Sequence, residues 1–226
     1  MKRKILLFSC FYHFLQIVHT SCYNTNMDYK NYIWDLGGTL LDNYESSSHA
    51  FAATLWQLAE RVILHTEAYD ALKISTAFAV EKFASDIPGF LEAYKKLEAE
   101  VLEKPILFDG AVEVLSVLTA SGQQNFMISH RNNQVLSILK AAKIEQYFTE
   151  VVTSDNGFKR KPAPDSINYL IKKYQLNPLE TVMIGDRALD IEAGCAAGIA
   201  TIFFDAKLTS DKATHHIQSL REIIQD

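Results

Sequence analysis

The 226-residue sequence predicts an α/β protein: a doubly wound parallel sheet of Rossmann type carrying a small all-helical domain as an insertion. Three observations predict it. Short apolar, strand-favouring runs alternate with stretches of helical length through residues 104–226, the pattern of buried parallel strands joined by crossover helices. A purely helical pattern occupies residues 46–103, directly after the first strand. Reactive side chains stand at the carboxyl ends of successive strands, where open α/β sheets bind their ligands.

In chain order, Tyr32, Ile33 and Trp34 form an apolar run that stops at Asp35 and two glycines, so a buried strand ends in a loop with a carboxylate at its mouth. Gly37 and Gly38 let the backbone approach a ligand closely, Thr39 adds a hydroxyl, and the N–H groups of such a turn can dock an anion. From residue 46 the period changes. Phe51, Leu55, Leu58 and Val62 recur at helical spacing, residues 69–83 predict a further helix, and Phe90, Tyr94, Leu97 and Val101 predict another. Pro88-Gly89 breaks this block and Pro105 closes it. A helical unit inserted at a strand's carboxyl end is placed to act as a lid.

Beyond Pro105 the alternation resumes. Asp109 is expected to cap a helix through Ala120, residues 125–129 read as a strand ending at Ser129, and Asn132 or Asn133 starts a helix through Ala142. Residues 150–154 are a strand followed by a polar segment containing Lys161, and Pro164 suits the first turn of a helix reaching Tyr174. Residues 181–185 form a strand that ends before Asp186, and Ala193 to Gly198 lie in the next helix. Residues 200–204 read as the last strand, before a terminal helix from about His215. The domains expected are therefore a core of residues 27–45 and 104–226 and a helical cap of residues 46–103.

Composition excludes several classes. The chain is 48% hydrophobic and 22% charged with a formal net charge of -5, which describes a globular protein with no basic surplus for nucleic acid. Cys10, Cys22 and Cys195 are too few and too scattered for a disulfide framework or a zinc site, so a cytoplasmic protein is the default expectation. Residues 1–26 stand apart: Lys2, Arg3 and Lys4 precede an apolar run from Ile5 to Val18 interrupted by His13 and Gln16. The segment has the outline of a secretory signal but is too short to span a bilayer; an extension upstream of a true start at Met27 is the first reading, a signal or anchor the second and a folded extension the third. No stable membrane association is expected.

Four successive strands each deliver a reactive side chain to one sheet edge: Asp35, Ser129, Lys161 from the loop after the third, and Asp186 with Asp190 four residues on. Plainer readings exist for each. Ser129 has the chemistry to cap the next helix, Lys161 lies in a basic run with Lys159 and Arg160 of the kind that is usually solvated, and His130, Arg131 and His49 suit a surface.

Taken together, the segments around Asp35 (DLGGTLL), Ser129 (ISH), Lys161 (KPAPD) and Asp186 (GDRALD) resemble, in order and spacing, the four motifs of the haloacid dehalogenase superfamily. The chain is most similar to its phosphatase branch with a helical cap after the first motif, phosphoglycolate phosphatase among them, and the likeness covers residues 27–226. It implies Asp35 as nucleophile and Ser129 and Lys161 as catalytic partners, with Asp35, the Gly37 carbonyl and Asp186 holding Mg²⁺. Asp190 then orients Asp186 or Lys161, and Gly38, Thr39, Ser129, His130 and Lys161 surround the phosphate. The expected partner is a small phosphorylated metabolite of the phosphoglycolate or sugar phosphate type, hydrolysed through an aspartyl phosphate by electrostatic positioning of the phosphoryl group.

One departure from the motif matters. The resemblance places an acid/base aspartate two residues after the nucleophile, and Gly37 stands there. Losing a positioned general acid and base typically costs about 10²–10⁴ in rate, or roughly 3–5 kcal/mol of barrier. Asp42, His49 or a cap residue is then a candidate replacement. Alternatively, the leaving group needs no proton, as in acyl phosphates or the related phosphonate hydrolases, for which Lys73 or Lys82 would have to form an imine. A protein that binds phosphate with weak turnover is the remaining reading.

Overall fold

The computed structural model describes residues 27–206 and 208–225. The expectations for residues 1–26 fall outside them. Six strands, β1 (Asn31–Trp34), β2 (Gln124–Ile128), β3 (Phe148–Val152), β4 (Thr181–Gly185), β5 (Ala200–Phe204) and β6 (His215–Ile217), form one sheet in the order β3-β2-β1-β4-β5-β6. Every pairing is parallel. The chain winds outward from β1 to β3, then crosses back to continue on the other side of β1, so β1 lies at the switch point where such sheets open a ligand crevice.

Eight α-helices accompany the sheet among the described residues. Four lie between β1 and the rest: α1 (Asn43–Ala59), α2 (His65–Ile74), α3 (Thr76–Ala84) and α4 (Phe90–Val101). The others are α5 (Ala111–Ala120), α6 (Gln134–Ala141), α7 (Asp165–Tyr174) and α8 (Ala188–Ala196). The alternation within β1 explains why both sheet faces are covered. Tyr32 and Trp34 pack with Val114, Leu115 and Leu139 of α5 and α6, whereas Ile33 packs with Ile167, Leu170 and Ala193 of α7 and α8. Helices α1–α4 enclose a separate core, in which the Phe51 ring meets Phe90 and Tyr94 edge-to-face at 4.8 and 5.3 Å.

Several local expectations are corrected. Residues from His215 are not a helix: His215–Ile217 pairs with β5 as an edge strand, and Leu220–Ile224 is a 3-10 turn capped by Ser219. Polar His215 and His216 lack a strand's apolar pattern, and only the open edge of β5 makes them one. The helix expected over residues 69–83 is two, because Ser75 is extended and its hydroxyl accepts from the Phe78 amide to start α3. Gly110, with φ +83°, occupies the start of α5 where Asp109 was expected to cap, while the Asp109 carboxylate pairs with Arg221 at 3.0 Å. Leu58 and Val62 are exposed rather than core: Leu58 lies on the open face of α1's last turn, and Val62 lies beyond its end at Ala59. The domain boundary expected at residue 46 falls inside α1. No helix among the described residues is long and apolar enough to cross a membrane.

Candidate active site

Strand order brings the tips of β1, β2 and β4 side by side, and Asp35, Ser129 and Asp186 follow those tips. Asp35 is anchored by its own amide, which donates to the Ile184 carbonyl at 2.9 Å on the neighbouring strand. Lys161, reached through the loop after β3, enters the same space. Its side chain is 1% exposed, its ammonium contacts the Asp35 carboxylate, and it lies 2.5 Å from Asp190 Oδ1. The solvated alternative for Lys161 is thereby excluded, although Lys159 and Arg160 beside it are exposed. Burial alone would lower the Lys161 pKa; the Asp190 and Asp35 carboxylates outweigh it and raise it.

The Asp35, Asp186 and Asp190 carboxylates each offer an oxygen within 4.8 Å of the others, and all three residues are buried. Burial, then the like charges of Asp35 and Asp190, push Asp186 up to about 7, and burial raises Asp190 as well. Repulsion of this kind is relieved by a cation, and oxygen-only donors suit a hard one such as Mg²⁺. The residues present therefore fit a divalent ion. Gly38 makes the close packing possible: at φ +88° a Cβ would stand 2.2 Å from Asp186 Oδ2. Thr39 Oγ1 lies 3.5 Å from Asp186 Oδ1, at the limit of a hydrogen bond.

Ser129 does not cap the next helix, whose N-cap is Asn133; its hydroxyl accepts from the Arg131 amide at 3.2 Å and faces the same buried edge. His130 was expected at the phosphate, but its Nε2 accepts from the Lys161 amide at 2.9 Å. Burial, then the charges of Lys161 and Arg160, lower its pKa to about 4, so the ring is neutral and holds the Lys161 loop. His49 is not among the buried groups at these strand tips; it contacts Glu45, with His65 close by, on the surface of α1. Of the two cap lysines, Lys73 pairs with Asp205, and exposed Lys82 lies over the Phe83 ring at 4.8 Å.

The profile of the haloacid dehalogenase-like hydrolases matches residues 32–204, a span that begins in β1 and ends with β5. The chain belongs to that family. It is 25% identical to pyrophosphatase PpaX of Bacillus mycoides (strain KBAB4), over 78% of this chain and 83% of the relative. It is 31% identical to the phosphoglycolate phosphatase of Vibrio vulnificus (strain YJ016) over 42% of each chain. The crystal structure of a hydrolase from Streptococcus pneumoniae TIGR4 is 54% identical and superposes with a TM-score of 0.67, covering 77% of this chain and 91% of that one.

Within this haloacid dehalogenase-like hydrolase, three residues escaped the sequence reading. Tyr44, at the start of α1, donates its hydroxyl to Asp186 Oδ2 at 3.0 Å, and burial and the adjacent carboxylate raise its pKa far above the ordinary value. Arg187 follows Asp186 directly, and its guanidinium is largely buried beside the carboxylates with Nε unpartnered. Its place in GDRALD was the available signal; Tyr44 offered none, because only the turn of α1 over the strand tips brings it in. Glu98 of α4 is the third. It accepts from Ser47 at 2.8 Å and Tyr94 at 2.9 Å within the helical layer, and from Arg131 at 3.2 Å beyond β2. Burial opposes its charge, yet Arg131 and Lys95 bring the pKa down to about 2.

The position of the missing aspartate is also defined. A Cβ on Gly37 would stand 2.6 Å from Asn43 Oδ1, a buried oxygen with no hydrogen-bond partner. The Asn43 amide fills part of the space that an acid/base side chain would need, and an amide cannot transfer a proton at ordinary pH. Asp42 carries a pKa raised by burial and has an unpartnered buried Oδ1, which keeps it a candidate for the proton transfer.

Proposed function

We propose that this hydrolase is a Mg²⁺-dependent phosphatase acting on a small phosphorylated metabolite. The observation that carries the reading is the pairing of a nucleophile-competent Asp35 with one buried cation, Lys161, beside two further carboxylates at the switch point of the sheet. Asp35, Asp186 and the Gly37 carbonyl would hold Mg²⁺, which supplies charge neutralisation for the phosphoryl oxygens. Lys161 holds one Asp35 oxygen and leaves the other to attack phosphorus. A P–O bond to Asp35 forms as the bond to the leaving oxygen breaks, and water then cleaves the aspartyl phosphate. Ser129 donates to a phosphoryl oxygen, and Asp190 positions Lys161. Helices α1–α4 act as the cap, and the Glu98–Arg131 contact ties it to the sheet edge. The protein works in the cytoplasm on this reading, without nucleic acid or membrane as partner.

Phosphoglycolate and sugar phosphates are the substrate types that the relatives' names suggest. Gly37 adds a bias of its own. With no acid at that position, leaving groups that depart as stable anions, such as acyl or aryl phosphates, turn over faster than alkyl phosphates. The deciding experiment is Mg²⁺-dependent phosphate release across a metabolite panel, with Asp35→Asn as control. Release that disappears in Asp35→Asn is the expected result. Ligand-induced thermal stabilisation with no turnover on any substrate would instead make this a phosphate-binding protein.

A further inference from the structure

We propose that Glu45, His49 and His65 form a second metal site, selective for Zn²⁺ or a similar imidazole-preferring ion, where α1 meets the start of α2. Among the described residues only two groups combine three or more metal-binding side chains, and this is the one that contains imidazoles. Glu45 and His49 are four residues apart on α1 and so share one face, while His65 is the first residue of α2. The Glu45 carboxylate spans both rings: Oε1 is 3.2 Å from His49 Nε2 and Oε2 is 3.2 Å from His65 Nε2. The two rings lie 4.9 Å apart at 37°. Ligands bound tetrahedrally to zinc at about 2.0–2.1 Å are separated by roughly 3.3 Å, so both carboxylate–imidazole distances already match the edge of such a polyhedron.

A separate observation points to a ligand. The His65 side chain is 40% exposed, but its Nε2 atom is inaccessible to solvent and makes no hydrogen bond, its polar neighbour being Glu45 Oε2 at 3.2 Å. An imidazole nitrogen shielded from water, without a hydrogen bond and beside a carboxylate and a second imidazole is set to donate its lone pair to a metal. Two histidines and a carboxylate are a donor set that suits zinc, whereas the all-carboxylate group at Asp35 suits Mg²⁺. Solvent supplies the fourth ligand. Bound there, the ion would staple the first turn of α1 to the first residue of α2, next to Tyr44, whose hydroxyl holds Asp186.

The test titrates metal-free protein in excess Mg²⁺, which satisfies oxygen-only sites, with Zn²⁺ by calorimetry and with Co²⁺ by visible absorption. One Zn²⁺ per chain and a tetrahedral cobalt spectrum are expected. His49→Ala and His65→Ala should each weaken binding tenfold or more, and the double variant should lose both signals with an unchanged circular dichroism spectrum. Absence of saturable Zn²⁺ binding overturns the proposal. So does undiminished binding in the double variant, which would put the ion at the Asp35 group or on exposed Cys195. Should the double variant not fold, Glu45→Gln carries the test: it keeps the size of the side chain and the contact with His49, must show the same tenfold loss, and overturns the proposal if it does not.

Discussion

Lys161 lies between two buried carboxylates, and that position determines what its removal does. Lys161→Met leaves Asp35 and Asp190 without their shared cation, and removing one partner of a buried pair typically costs about 3–5 kcal/mol. Thermal denaturation of the variant should show Tm lower by about 10 °C, together with loss of phosphate release. At Gly37 the outcome turns on Asn43. Gly37→Asp has an accessible backbone conformation but must displace the Asn43 oxygen 2.6 Å away, an overpacking cost of about 1–3 kcal/mol. Gly37→Asp with Asn43→Ala makes room, and its turnover of alkyl phosphates should rise about 10²-fold, narrowing the gap to aryl phosphates. An unchanged alkyl-to-aryl ratio would show that Asp42 or another group already transfers the proton. Asp35, Ser129 and Asp186 were legible because each is a reactive type at the end of an apolar run, and Lys161 because it precedes Pro-Ala-Pro in a polar segment. Tyr44 was not, because nothing in its neighbourhood distinguishes it from a core aromatic until its hydroxyl is seen on Asp186.

At the scale of elements, the contact between α4 and the turn after β2 rests on one buried carboxylate. Glu98→Ala leaves Arg131, which is 24% exposed and able to reach water, and removes the acceptor of Ser47 and Tyr94. A loss of about 1–3 kcal/mol in denaturant unfolding is expected, less than full burial of the arginine would give. The same residue gives a pH dependence. Its folded pKa, about 2, lies below the ordinary value of 4.5, so its stabilisation is present above pH 4.5 and is lost as pH falls toward 2. Glu98→Gln should flatten the acid limb of a stability–pH curve over that window. Helix and strand identity was readable wherever period and length agreed, as in β4 and α4. It failed where an element depends on a neighbour: β6 exists because β5 has an open edge, and the break at Ser75 because its hydroxyl caps α3.

Across the whole molecule, electrostatics at the switch point couple stability to the cation. With a folded pKa of about 7 against 3.8, Asp186 favours the protonated fold, so its stabilisation of the cation-free protein is complete below pH 3.8 and is lost as pH rises through 7. Mg²⁺ binding at Asp186, as proposed, would require the carboxylate and displace that proton. The Mg²⁺-induced rise in Tm should therefore be larger at pH 8 than at pH 5.5 in a thermal-shift series. A rise independent of pH would place the ion away from Asp186.

What the sequence determined by itself is the kind of protein: runs of buried strand separated by helices specify a parallel sheet, and the positions of Asp35, Ser129 and Asp186 put them at strand ends, with Lys161 in the loop after the third strand, because period and turn chemistry are local properties. Only the tertiary structure decided which groups share charge. The strand order sets β1 between β2 and β4, and the packing buries Lys161 against two acids and sets the His130 ring on the Lys161 amide. Packing of α2 on α1 likewise brings His65 to Glu45. Those contacts join residues far apart in the chain, and pairing at that range is governed by packing and desolvation that no short stretch of sequence encodes.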